Sequence, residues 1–269
     1  MSLSGGTVPH HVAVIPCRYG STRFPGKPLA LLGDKPLMWH VYQRCQQAER
    51  IVETFIATDD PRIQEECRRL DMACLLTGDH PTGTDRVAEC LRYVKADGYI
   101  NVQGDEPFVS PAAIDAVSHA LALSDPPVAA VNACAPLREA AAVLDHNVVK
   151  VVTRADGGAL MFSRQPIPYP RDSRPVYVRQ LGLYGFTVAA LERFRALPQG
   201  VLEQAEGVEM LRFLEHSMEV RVLFVEDDGM AVDTPEDLRR ARLSLDAAPP
   251  AGGSGWPKDV TPSVGIPRL

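Results

Sequence analysis

Apolar residues along the chain follow two alternating patterns: short β-branched runs bounded by Gly, Pro or Asp, and longer stretches in which they recur at helical spacing. The first run, His11–Pro16, stops at Pro16 and opens into a basic, glycine-bearing loop over Cys17–Pro28. Pro36–Glu49 then predicts a helix, Thr54–Thr58 a strand closed by Asp59-Asp60-Pro61, and Arg62–Leu70 a second helix. A strand near Ala73–Leu76, a polar turn over His80–Thr84, a helix over Asp85–Lys95 and a strand over Tyr99–Val102 follow. After the break at Gly104-Asp105-Glu106-Pro107 come a helix over Pro111–Leu123, a strand over Val128–Ala133 and an extended stretch over Val148–Thr153.

Strands and helices alternating at these lengths predict an α/β fold with a doubly wound, mostly parallel sheet, whose ligands bind beyond the carboxyl ends of the strands. The polar breaks at Cys17 and Gln103 then face one crevice. Between Gly157 and Phe186 prolines at 166, 168, 170 and 175 interrupt any helix, which predicts a smaller inserted lobe at about 155–215. Helical spacing resumes over Leu202–Glu215, a strand follows at Val220–Val225, and a last helix opens at Thr234-Pro235-Glu236-Asp237, where Pro and acids suit the first turn. Residues 12–246 read as the folded part. Residues 1–11 and the Pro/Gly-rich 247–269 read as flexible flanks, since they offer little apolar surface to bury.

At 269 residues the chain is long enough for a full core, and its formal charge of -6 argues against a nucleic-acid coat or a polybasic membrane surface. The six cysteines lie scattered without a CxxC pair, which predicts reduced thiols and a cytoplasmic setting. Residues 1–11 lack the basic and apolar regions of a signal peptide, and no apolar run approaches a membrane span.

Candidate chemistry gathers at the ends of the predicted strands. The loop Pro16–Lys27 holds Arg18, Arg23 and Lys27 with the hydroxyls of Ser21 and Thr22 and two glycines. A triphosphate calls for such a set: backbone N–H groups that glycine lets come close, and cations that neutralise a departing pyrophosphate. A solvated basic turn is the plainer alternative. The GxxxxGK[ST] spacing of a Walker loop is absent, as is a GxGxxG after the first strand. Asp105 follows an apolar strand, and so does the distant Asp233. Across one crevice the two can hold Mg²⁺, a hard ion that takes few protein oxygens and completes its shell with phosphate and water; alternatively Asp105 is a turn former and Asp233 the N-cap of the last helix. The turn His80–Arg86, with Thr82, Gly83 and Thr84, can read a base edge, or Thr84 or Asp85 can simply cap the following helix.

Several blocks in order carry a resemblance to a known family: PCRYGSTRFPGKPL from Pro16, HPTGTDR from His80, NVQGDEP from Asn101, NVVKVV around Lys150, MFSRQPIPYPRD from Met161, RQLGLYGF from Arg179 and MAVDTPEDL from Met230. From about Val12 to Arg242 the chain resembles the 3-deoxy-manno-octulosonate cytidylyltransferases, or CMP-Kdo synthetases. The resemblance implies transfer of CMP from CTP to an anionic acceptor with release of pyrophosphate. It assigns Arg18, Ser21, Arg23 and Lys27 to the triphosphate, Thr82–Thr84 to cytosine, and Asp105 and Asp233 to Mg²⁺. It also implies a homodimer formed through the lobe, with which the apolar run Leu181–Phe186 is compatible.

For the acceptor the resemblance leaves Gln103, Arg164, Arg171, Tyr184 and Glu209 as candidates. This chain has Gln180 where the family usually has His, and Met210 where it usually has Gln, at positions that resemble acceptor contacts. Gln keeps a hydrogen bond and Met keeps none. The expectation is therefore 3-deoxy-manno-octulosonate as acceptor, with another ulosonic acid or a small phosphonate as the alternative. A catalytically silent CTP-binding module would call for loss of Lys27, Asp105 or Asp233, all of which are present; a metal-dependent glycosyltransferase would call for a DxD motif before the Gln103 turn, where none stands.

Overall fold

The computed structural model describes residues 9–21, 23–124, 128–172, 175–226 and 229–247. The expected flexible tail lies outside the described residues apart from Ala247, as do residues 1–8. The remainder of the 1–11 flank is anchored: the His10 N–H donates to Asp97 at 2.8 Å, and His11, 3 % exposed, bonds Ser118 across 2.8 Å.

Strand β1 (His11–Pro16) is buried along its whole length. Val12 and Val14 enter one core while Ala13 and Ile15 enter another, so the run is apolar throughout because both faces of the sheet are covered. The hairpin β2 (Leu31–Leu32) and β3 (Lys35–Pro36) leads into α1 (Leu37–Gln46). The alternation continues through β4 (Ile51–Thr58), α2 (Pro61–Arg69), β5 (Cys74–Leu76), α3 (Gly83–Cys90), β6 (Gly98–Val102), α4 (Pro111–Ala122) and β7 (Ala130–Pro136). A short α5 (Ala140–Leu144) precedes the ribbon of β8 (Lys150–Thr153) and β9 (Ala159–Ser163). Then come β10 (Val178–Thr187), α6 (Val188–Ala196), α7 (Val201–Glu206), α8 (Met210–Glu215), β11 (Val220–Phe224) and α9 (Pro235–Ala247).

The main sheet runs β11-β7-β10-β6-β1-β4-β5. Within this path β10 alone is antiparallel to its neighbours, β6 and β7. Helices α1, α2 and α4 pack on the face reached by Ala13 and Ile15, and α3, α6 and α8 on the face reached by Val12 and Val14. The carboxyl ends of β1, β4, β5 and β6 therefore open along one edge. A third, smaller core of Leu32, Leu37, Val232, Leu238 and Ala241 docks α9 onto the hairpin, so the segment carrying Asp233 returns beside the first loop.

Three local readings change. Leu181–Phe186 is the middle of β10, with Leu181, Leu183 and Phe186 buried, and is not a surface available to a partner. The pattern Ala190, Leu191, Phe194 makes α6, which packs against α3; its buried residues sit too close to the strand end to stand out as a separate period. The single helix expected over Leu202–Glu215 is broken at Gly207, whose φ of 60° ends α7 in the left-handed region that glycine tolerates. Segment 155–215 thus supplies the β9 arm and the α7–α8 pair, but its β10 and α6 belong to the main layers.

Candidate active site

A cleft of about 460 Å³ opens at the carboxyl ends of β1 and β6. Ten of the predicted residues line it: Arg18, Ser21, Arg23, Lys27, Thr82, Gly83, Gln103, Asp105, Glu209 and Asp233. The first-strand loop does point at the acids. Lys27 Nζ donates to Asp105 Oδ2 at 2.7 Å and to Asp233 Oδ1 at 3.1 Å, and Arg23 Nη2 donates to the same Asp233 oxygen at 3.4 Å. Burial alone would depress the Lys27 pKa, but the two carboxylates more than offset it and the pKa is raised, so the ammonium stays charged.

The capping alternatives resolve differently for each residue. Thr234 caps α9: its hydroxyl accepts from the Asp237 N–H at 3.1 Å while Asp237 accepts from the Thr234 N–H and hydroxyl. Asp233 therefore keeps its carboxylate for the cleft. Asp105 caps nothing; its carbonyl accepts from the Val232 N–H at 2.8 Å, which staples the two acid-bearing turns together. At the other wall Thr82, rather than Thr84 or Asp85, caps α3, accepting from the Asp85 N–H at 3.1 Å.

The acceptor candidates divide. Glu209 reaches across to the same turn, accepting from the Gly83 N–H at 3.1 Å and the Thr84 N–H at 2.8 Å; burial raises its pKa against the pull of those donors. Tyr184 lies near Glu209, Glu106 and Asp105, and burial together with these acids raises its pKa well above the ordinary phenol value, so its hydroxyl remains protonated. Arg164 grips backbone, donating to the carbonyls of Glu206 (2.6 Å) and His146 (2.9 Å). Arg171 projects from the surface with a side chain 86 % exposed, paired with Asp172 at 3.6 Å. Gln180 donates to Asn132 at 2.8 Å, away from the cleft wall. Met210 is completely buried in the core among Phe186, Leu211 and Phe213, so its loss of polar atoms faces packing and not a ligand.

Sequence reasoning missed a buried ion network behind this wall. Arg212, 3 % exposed, donates twice to Glu203 (2.7 Å each) and twice to Asp85 (2.9 and 3.1 Å), and stacks over Phe194 with its guanidinium carbon 3.7 Å from the ring centre. Asp85 in turn accepts from the Thr82 hydroxyl at 2.6 Å, so α7 and α8 hold the Thr82–Thr84 turn through two separate routes. Arg86 does a similar service below, joining Thr77 (2.6 Å) to Asp59 (2.9 Å). The signal available in the sequence was the opposite charge of Glu203 and Arg212 on either side of Gly207.

Known proteins resemble the chain over most of its length. The cytidylyltransferase family model matches residues 12–220. A 3-deoxy-manno-octulosonate cytidylyltransferase from Anaeromyxobacter dehalogenans strain 2CP-1 is 47 % identical over 243 residues, covering 88 % of this chain and 98 % of that protein. The chain belongs to the 3-deoxy-manno-octulosonate cytidylyltransferase family. The Escherichia coli member is 39 % identical over 236 residues, covering 87 % of this chain and 95 % of its own length. A solved structure of a CMP:2-keto-3-deoxy-manno-octonic acid synthetase complexed with CTP superposes with a TM-score of 0.82 at 37 % identity, covering 88 % of this chain and 98 % of that one. As a family member the chain is a CTP-dependent nucleotidyltransferase, and the doubly wound sheet expected from its alternating pattern is the family's fold.

All six cysteines are unpaired, five of them buried. Burial pushes the Cys17 thiol, at the root of the first loop, to about 12. Among the described residues no helix is long and apolar enough to cross a membrane.

Proposed function

We propose that this chain transfers CMP from CTP to 3-deoxy-manno-octulosonate, releasing pyrophosphate. The observation that carries the reading is the meeting of Lys27 with Asp105 and Asp233 in the cleft that Thr82 and Gly83 also line, with Thr84 of the same turn buried behind them. The family relationship supports the acceptor; Gln180 and Met210, which motivated a different acid, stand outside the cleft.

In this reading Arg18, Arg23 and Lys27 receive the triphosphate, with Ser21 beside them, and Thr82, Gly83 and Thr84 orient the cytosine. Gln103 and Glu209 line the acceptor side, and Tyr184 lies half-buried near Glu209 and Asp105, protonated and no base. The acceptor hydroxyl attacks the α-phosphorus as the bond to pyrophosphate breaks in line. The chain contributes position and charge, because the first loop brings its cations to the side of the cleft where negative charge would accumulate on the leaving group. No side-chain nucleophile takes part.

The donor set at Asp105 and Asp233 suits Mg²⁺: two hard carboxylate oxygens converge within 3.1 Å of one point, leaving the remaining positions for phosphate and water. Among the described residues no group of three or more His, Cys, Asp and Glu forms an all-protein cage. When bound, the ion would neutralise the phosphates that Lys27 and Arg18 also face. The same reading places the enzyme in the cytoplasm as a homodimer, joined through exposed Leu160, Tyr169 and Val176 on the β9 side.

The test is pyrophosphate release from CTP with 3-deoxy-manno-octulosonate, a nonulosonic acid and a simple phosphonate supplied separately. Turnover of the first alone is expected. Preference for either of the others would replace the acceptor assignment.

A further inference from the structure

Lys27 occupies the place between the two acids where a cation belongs. Its nitrogen lies within 3.1 Å of an oxygen from each, and its side chain is only 15 % exposed, so it fills that space as a substituted counter-ion. Arg23 touches the same Asp233 oxygen, but at 3.4 Å, half exposed and also donating to Asn147. Without Lys27 two carboxylates tied together by the Val232–Asp105 backbone bond would face each other in a partly desolvated cleft.

A magnesium-sized ion sits about 2 Å from each oxygen it ligates. Between these oxygens it would lie inside contact distance of the ammonium, and two cations so placed repel strongly where water is scarce. The ammonium must leave for the ion to enter. Its backbone is pinned, since the Lys27 carbonyl accepts from the Ala30 N–H at 3.0 Å, so the movement is confined to the side chain. The cleft beyond it is lined by Arg18, Ser21, Thr82 and Gly83, and its other two carboxylates are already engaged, Glu203 by Arg212 and Glu209 by the Gly83 and Thr84 N–H groups, so a bound triphosphate supplies the new anion for the ammonium.

We propose that Lys27 is a positioning residue for the cation site: it holds Asp105 and Asp233 in register in the free enzyme, bars a divalent ion from them, and yields the place when a nucleotide triphosphate draws its ammonium away. Cation and nucleotide then bind cooperatively, and the free protein has little affinity for the ion. This rests on the proposed reading of Asp105 and Asp233 as the cation carboxylates.

The probe is Mn²⁺, followed by electron paramagnetic resonance on the full-length chain without nucleotide. Wild type should bind it weakly, and Lys27→Met at least tenfold more tightly, since the competitor is gone and the acids remain. The gain should vanish in Lys27→Met/Asp105→Asn. Equal affinity of wild type and Lys27→Met, or a gain that survives Asp105→Asn, overturns the proposal. A second measurement needs no variant: acetylation of Lys27 in the wild type, read by mass spectrometry, should rise severalfold as Mn²⁺ saturates the protein, because the evicted ammonium becomes accessible. Unchanged labelling at saturation means the ion binds without displacing Lys27 and also overturns it. Neither measurement uses CTP or an acceptor, so failure to turn over 3-deoxy-manno-octulosonate leaves these outcomes standing, and their failure leaves the acceptor assay intact.

Discussion

On the β1 side of the cleft the functional groups stand on connections between elements: Lys27 at the far end of the loop after β1, Asp105 just after β6, Asp233 just before α9. On the α7–α8 side they are wired into the protein, with Glu209 on the backbone of Gly83 and Thr84 and Arg212 locked between Glu203 and Asp85. The first side presents charge to a ligand. The second spends its charge on fixing the shape of a turn, and so a residue there can be essential without offering any atom to substrate.

Substitutions on the two sides should therefore fail differently. Asp105→Ala is expected to lower kcat by about two to three orders of magnitude, as removal of a key charge-stabilising group does, while the thermal transition stays within a few degrees of wild type. Wild-type turnover would remove Asp105 from the chemistry. Arg212→Met should do the reverse, destabilising the fold by about 3–5 kcal/mol in urea titration because two buried carboxylates lose their cation. A neutral result would mean water or a rearranged partner replaces the guanidinium.

Glu209 sharpens the contrast through pH. Its folded pKa is raised above 4.5, so its contribution to stability is full below pH 4.5 and is lost as pH rises through the raised value. Urea midpoints of wild type should fall across that window relative to Glu209→Gln; parallel profiles would show that Glu209 titrates as it does in the unfolded chain. Gly83→Ala should cost about 1–3 kcal/mol, expressed mainly as a higher KM for CTP, since a Cβ there meets the Gln103 amide nitrogen at 3.0 Å and Pro16 at 3.2 Å. The smallest effect is expected from iodoacetamide at pH 8: with its thiol pushed to about 12, Cys17 should stay unmodified and activity unchanged despite its closeness to the loop.

Much of the first side was legible in the linear pattern. Pro16 and Val102 end apolar runs, and an abrupt change from apolar to charged residues marks a strand end wherever the sheet is covered on both faces. The second side was not, because its partners are far apart in sequence: Arg212 and Asp85 are separated by 127 positions, and Glu209 and Gly83 by 126. Nor could a local pattern tell that β10, read as part of an arm, runs antiparallel through the middle of the sheet.

By itself the sequence determined the alternating architecture, the basic first loop and the acid that follows β6, since each follows from local periodicity and side-chain chemistry; Asp233, expected at a strand end, stands instead well past β11 in the turn before α9. Only the tertiary structure decided that Thr234 frees Asp233 by taking the cap, that Met210 is core, and that Lys27 bridges both acids. Those outcomes depend on which groups compete for the same donor or the same space, and competition between distant residues begins only when the chain has closed on itself.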